Sequence, residues 1–193
     1  MIKPWEKIGS EPKGDFRIFR IRSDRKISPR TQKEHDFYVI DCVNWVNIIA
    51  VTEDDQMVMV EQYRHGSETV ELEVPGGMMD PEDANPETTA MRELREETGY
   101  EGESARVIGS VYPNPAIMSN VCYTVLVEKC RCVHPVEFDH SEDILTRLLP
   151  VSEVPALVAG GKIKHSLVVA ALYDFELFRR YANANNETKL SAV

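Results

Sequence analysis

Three glutamates stand within five residues of one another in the run Arg92-Glu93-Leu94-Arg95-Glu96-Glu97-Thr98-Gly99-Tyr100. On a helix of about 3.6 residues per turn, Glu93, Glu96 and Glu97 share an arc of roughly 80° to 100°. Ala90, Leu94 and Thr98 share the arc beside it, with Met91 at its edge. One face can then pack while its neighbour gathers negative charge. Clustered like charges repel by about 1 kcal/mol per pair in water and by more near a protein surface. A helix shaped by stability alone disperses such charges, whereas a site for hard divalent cations needs them, because those ions take oxygen ligands and share them with phosphates. A glutamate run is more often a solvated face, and Arg92 and Arg95 stand where they can offset it. The residues upstream decide between the two readings.

Upstream, Glu71-Leu72-Glu73-Val74-Pro75-Gly76-Gly77-Met78-Met79-Asp80 reads as a short strand entering a glycine turn. A loop rich in Asp, Glu and Pro follows, and then a helix start at Asn85-Pro86-Glu87, with Asn85 as N-cap and Pro86 at the first helical position. The order is strand, glycine-rich loop, acidic helix with a glycine stop. These residues in this order resemble the Nudix hydrolase family. Its signature is Gly, five residues, Glu, seven residues, then Arg-Glu-U-x-Glu-Glu-x-Gly-U, where U is bulky and apolar or aromatic. The second half matches at every fixed position over 92–100, with Tyr100 as the last U. The first half departs, because Gly77 lies fifteen residues before Arg92 where the pattern has fourteen. Counting back from Arg92 puts Ala84 at the expected Glu; counting on from Gly77 puts Asp83 there.

The resemblance implies a fold and a chemistry. The fold is an α/β, Nudix-type α/β/α sandwich with a mixed sheet, here preceded by an N-terminal β-strand section. The chemistry is attack of water on a diphosphate linked to another group. Glu93, Glu96 and Glu97, helped by the backbone carbonyl of Gly76, are the expected ligands of Mg²⁺, for which Mn²⁺ could substitute. Glycines let the loop backbone come close to metal and phosphates. The ions would neutralise the diphosphate and lower the pKa of water. Glu97 or Glu142 would take the proton, and Arg92 would orient Glu96 from one turn away. The later acidic loop, 137–144, offers Glu142 first as the fourth carboxylate, with Asp139, Glu137 and His140 as alternatives.

The flanks bear on the substrate. Val58-Met59-Val60-Glu61-Gln62-Tyr63-Arg64-His65 resembles the strand of the ADP-ribose and nucleoside diphosphate sugar pyrophosphatases, where Gln-Tyr-Arg precedes the signature. Arg64 suits a phosphate because guanidinium presents a planar pair of donors; Tyr63 could touch a base or ribose. Pro115 stands fifteen residues after Tyr100, a spacing similar to a marker of the ADP-ribose-type enzymes. The loop reads Asn114-Pro115-Ala116 rather than the more usual Ser-Pro-Gly, which leaves room for other nucleoside diphosphate sugars. A hydrolase of oxidised nucleoside triphosphates and a non-catalytic nucleotide-sensing module are the rival readings. The retained glutamates speak against the second.

Composition and periodicity supply the frame. The 193 residues suit one domain with a real core, 44–181, preceded by a β section over 1–43 and followed by a polar, flexible tail over 182–193. Strands are expected over 15–22, in two pieces of 37–51 broken near Asn44, and over 57–63, 70–74, 105–112, 120–129 and 144–149. A polar loop is expected over 23–33, and helices over 86–98, 151–158 and 165–181. The formal charge of −10 argues against partnership with nucleic acid or an anionic membrane. No stretch has the length of a membrane span and the first residues lack a signal-peptide block. Cys42, Cys122, Cys130 and Cys132 read as reduced thiols of a cytoplasmic protein. The long N-terminal section resembles those through which related pyrophosphatases pair, so a homodimer acting on a small nucleotide is expected, with Trp5, Phe16, Phe19, Phe37 and Tyr38 as possible contributors.

Overall fold

The computed structural model describes residues 1–138 and 143–190, with side chains described as far as residue 182. The chain forms two units, residues 1–44 with 112–121, and residues 45–111 with those from 122 onward. In the first unit, β1 (Glu6–Asp15), β2 (Arg20–Ile27) and β3 (Glu34–Asp41) make an antiparallel sheet in the order β1-β2-β3. The strand expected over 15–22 is broken: residues 16–19 are the turn that joins β1 to β2, and only 20–22 lie in β2. The Asp15 carboxylate accepts from Arg17 N–H at 3.1 Å and from Arg20 Nε at 2.9 Å, and Arg17 adopts a left-handed φ of 70°. The polar loop expected over 23–33 begins as strand. Ser23 and Asp24 are buried there, and the Asp24 carboxylate accepts from Ser10 Oγ at 2.7 Å and from Arg22 Nε at 3.0 Å. The 112–121 segment is tied to β3 by Ile40 N–H to the Ile117 carbonyl at 2.7 Å, and by Ser119 N–H to the Ile40 carbonyl at 3.1 Å.

The second unit holds β4 (Trp45–Thr52), β5 (Gln56–Arg64), β6 (Thr69–Glu73), β7 (Gly76–Met78), α1 (Pro86–Thr98), β8 (Tyr100–Glu101), β9 (Ser104–Val111), β10 (Cys122–Cys132), β11 (Ile144–Pro150), α2 (Val154–Ala159) and α3 (Ser166–Leu190). Strand alternation divides its core in two. Val46, Ile48, Ala50, Val58, Val125 and Val127 are buried with Ala90 and Leu94 of α1 on one face. Ile49, Met57, Met59 and Leu126 are buried on the other with Val154 of α2 and Val168, Ala171 and Phe175 of α3. A sheet covered on both faces needs near-continuous apolar runs, which β4, β5 and β10 supply. β10 runs parallel to β4, and the remaining pairs are antiparallel. A mixed sheet between helices, the expected sandwich, is what forms.

One irregularity in this sheet makes the site. β4 and β5 pair only where Ala50 and Val51 face Val58 and Met57. Beyond that point they part, and the chain between them fills the gap: β6 pairs with the end of β5 and β7 with the start of β4. Pro75, which has no N–H to donate, sits at the crossing and accepts from Ile48 N–H at 2.8 Å. The glycine turn expected at 76–77 is therefore strand. Gly76 lies so close to β4 that a Cβ there would overlap the Val46 carbonyl. α3 also runs past the expected end at residue 181, to Leu190, through a stretch free of Gly and Pro.

Candidate active site

α1 begins and ends as its residues require. Asn85 is extended and its side-chain oxygen accepts from Thr88 N–H at 2.9 Å, Pro86 opens the helix, and Gly99 closes it at φ 74° with its N–H on the Arg95 carbonyl. With both ends fixed, the Ala90 and Leu94 stripe packs on the sheet and the glutamate stripe faces the β6–β7 crossing. There Glu93, Glu96 and Glu97 line a cleft of about 470 Å³ together with Arg64, Gly76 and Glu137. Larger cavities, of about 680 and 600 Å³, lie near Trp5 and His35 and between α2 and α3, and neither gathers carboxylates.

Each carboxylate is held differently. Glu97 is buried, and its Oε2 accepts from Gly76 N–H at 3.1 Å, which stitches α1 to β7. Glu93 and Glu96 receive Arg92 Nη1, at 3.0 Å on Glu93 Oε1 and 3.1 Å on Glu96 Oε2. Arg92 Nη2 donates to Asp83 Oδ2 at 2.9 Å and to the Met78 carbonyl at 3.3 Å. The guanidinium thus braces the glutamates against the loop, and these acidic partners outweigh its own burial in raising its pKa. Asp83, rather than Ala84, fills the acidic position left open by the extra loop residue. Its side chain is buried, takes Thr89 Oγ1 and Asp80 N–H as well as Arg92, and is held below the ordinary carboxylate range chiefly by Arg92. Gly77 faces the same cluster, since a Cβ there would overlap the Glu93 carboxylate.

Arg64 reaches the cleft from the end of β5. Its Nε and Nη2 donate to Glu73 Oε1 and Oε2 at 2.9 and 2.8 Å, the two-pronged geometry that guanidinium favours. Glu73 is 1% exposed. Burial pushes its pKa up, but hydrogen bonds from Arg64 and from His165 win and bring it down to about 2. Tyr63 does not line the cleft. Neighbouring strand residues face opposite ways, and Tyr63 lies edge-on to His65 with ring centroids 5.2 Å apart. Pro115 belongs to the 112–121 segment of the first unit. Glu142, with Asp139 and His140, lies outside the described residues. Of the alternatives for the fourth carboxylate, Glu137 is on the cleft wall, its N–H on the Glu96 carbonyl at 2.8 Å and its carboxylate 3.7 Å from Arg95. Sequence reasoning missed Glu73 and His165 as members of the Arg64 network. Neither left a signal: alternation in Val70-Glu71-Leu72-Glu73-Val74 puts Glu73 on the face opposite the apolar residues, and His165 stands in no pattern.

The donor set fits a hard divalent cation by its chemistry: three carboxylates on one cleft wall, beside a glycine backbone that no side chain shields. Among the described residues no such groups converge as a finished cage, and Arg92 and the Gly76 amide engage the carboxylates.

Comparison with known proteins bears on the family and the fold. The model of the NUDIX domain family matches residues 43–171. An ADP-ribose pyrophosphatase of Mycobacterium tuberculosis is 29% identical over 172 residues, covering 87% of this chain and 81% of its own. An ADP-ribose pyrophosphatase of Bacillus subtilis is 27% identical over 133 residues, covering 68% and 71%. A solved structure described as an ADP compounds hydrolase shares the fold with a TM-score of 0.82 at 18% identity, over 94% of this chain and 97% of that one.

Proposed function

The chain belongs to the NUDIX domain family, and from that premise we propose that it hydrolyses the diphosphate bond of ADP-ribose or a related nucleoside diphosphate sugar, to a nucleoside monophosphate and a sugar phosphate. The observation that carries this reading is the joining of Glu93, Glu96 and Glu97 with Arg64 in one cleft. The names of the two bacterial relatives support ADP-ribose in particular.

Glu93, Glu96 and Glu97 would hold the divalent cation, Mg²⁺ in the first instance with Mn²⁺ as substitute, and the Gly76 backbone borders it. Bound there, the ion would offset the charge of the diphosphate and make water a better nucleophile. The chain's own residues do the rest. Arg64, aimed by Glu73, grips a phosphate oxygen and holds the diphosphate in register with the attacking water. Arg92 keeps Glu93 and Glu96 at the cleft wall and ties them to Asp83. A carboxylate accepts the proton as water attacks phosphorus; Glu97, Glu142 and Glu137 are the candidates. The protein is proposed to act in the cytoplasm, where its four free cysteines would stay reduced, and as a homodimer. Among the described residues, no helix is long and apolar enough to cross a membrane.

Metal dependence tests the site directly. Incubated with ADP-ribose and Mg²⁺, the protein should release AMP and ribose 5-phosphate, and excess EDTA should stop the reaction until Mg²⁺ or Mn²⁺ is restored. Full turnover in EDTA would remove the role assigned to the three glutamates.

A further inference from the structure

We infer that His165 is a positioning residue that aims Arg64 into the cleft through the buried carboxylate of Glu73. The inference rests on the reading of Arg64 as a phosphate grip. Three observations carry it. First, Glu73 Oε2 is shared: Arg64 Nη2 donates to it at 2.8 Å and His165 Nδ1 faces it at 2.9 Å. An ionised carboxylate only accepts, so Nδ1 carries the proton of that contact. Second, the three groups run from inside to outside. Glu73 is sealed at 1% exposure, while the Arg64 side chain is 43% exposed and lies on the cleft, and the His165 side chain is 37% exposed. Third, the backbone that carries His165 is anchored, because its carbonyl accepts from Val169 N–H at 3.0 Å in the first turn of α3.

The physical argument concerns what a buried carboxylate does when it loses a donor. Burying a charge is costly unless it is paired and hydrogen-bonded on several sides, and an apolar residue of the same size is often as stable in its place. An ion pair kept in such a place is better explained by the orientation it imposes. Held by Arg64 alone, the carboxylate and its half-exposed guanidinium would be free to shift together as one flat pair. His165, arriving from the loop before α3, meets the same oxygen from a second element and removes that freedom. The fork of Arg64 is then set by two elements, β6 and the start of α3, neither of which supplies a glutamate to the acidic wall.

The test is a double-mutant cycle with ADP-ribose and Mg²⁺, using His165→Ala, His165→Asn, Arg64→Ala and the Arg64→Ala/His165→Ala pair. His165→Ala should raise KM about 10-fold with kcat changed far less, since misplaced support typically costs one to two orders of magnitude. His165→Asn, whose side-chain amide can donate where Nδ1 does, should restore most of the loss. Adding His165→Ala to Arg64→Ala should change KM no further. Multiplying effects in the double variant, or an Asn variant as impaired as Ala, would overturn the inference. A second readout needs no substrate: the side-chain Nε–H resonance of Arg64, identified by its loss in Arg64→Ala. It should be sharp in the wild type and in His165→Asn, and broadened or shifted in His165→Ala. Wild-type protein inert toward every diphosphate would discard the proposed function, and the resonance would still decide the positioning role. An unchanged resonance in His165→Ala would sink it.

Discussion

At the scale of single residues, the site is a set of charges that hold one another. Glu97 is tied to the Gly76 amide and Glu93 and Glu96 to Arg92, so each carboxylate has a defined direction before anything binds. Glu93→Gln and Glu97→Gln keep shape and an acceptor oxygen while removing the charge. Each should lower kcat by at least about 10²-fold with little change in melting temperature, measured on the same preparations. Near-normal turnover in either would strip that glutamate of its role. Glu73 predicts a pH effect on stability. Its ordinary pKa of 4.5 falls to about 2 in the fold, so the unfolded chain binds the proton more readily than the native one. Its contribution is therefore whole above about pH 4.5 and is lost as pH falls toward 2. Urea midpoints measured from pH 5.5 down to 3 should fall less steeply for Glu73→Gln than for wild type. Parallel curves would mean the pair contributes nothing.

At the scale of elements, the parting of β4 from β5 opens the space that β6 and β7 cross, and it brings two glycines against different neighbours. A Cβ at Gly76 would meet the backbone of β4, which cannot yield, whereas a Cβ at Gly77 would meet the Glu93 carboxylate, which can swing aside. Gly76→Ala should therefore cost stability, seen as a melting temperature lowered by several degrees. Gly77→Ala should cost activity, about 10-fold or more in kcat, with the melting temperature nearly kept. The reverse pattern would contradict this account of the crossing. α1 was legible to the residue in the sequence because Asn85, Pro86 and Gly99 mark its ends by local chemistry. β1 was not, since its residues are polar, nearly all exposed, and interrupted by two glycines and Pro12, so only pairing with β2 makes it a strand. β7 was hidden for a related reason: Gly76-Gly77 reads as a turn until its partner on β4 is known. The loop count that left Asp83 and Ala84 open is settled by Arg92, a contact across nine residues that no local pattern displays.

At the scale of the whole molecule, a chain with a formal charge of −10 carries its acidic cleft on an α/β/α sandwich of the NUDIX domain family. A phosphate ligand approaching such a surface needs local cations, which is why Arg64 and a metal stand at the centre of the proposed activity. The site's acidic wall could be read from spacing because a helix brings residues three and four apart together. The Glu73–Arg64–His165 network could not, because it joins two strands and a helix start across up to 101 residues of chain. The measurement that bears most directly on the central claim is a product analysis with Mg²⁺ over a small panel: ADP-ribose, ADP-glucose, GDP-mannose, UDP-glucose, a dinucleoside polyphosphate and 8-oxo-dGTP. The account predicts nucleoside monophosphate plus sugar phosphate from the diphosphate sugars, with ADP-ribose turned over at the highest kcat/KM. Turnover of the triphosphate alone, with release of pyrophosphate, would contradict it.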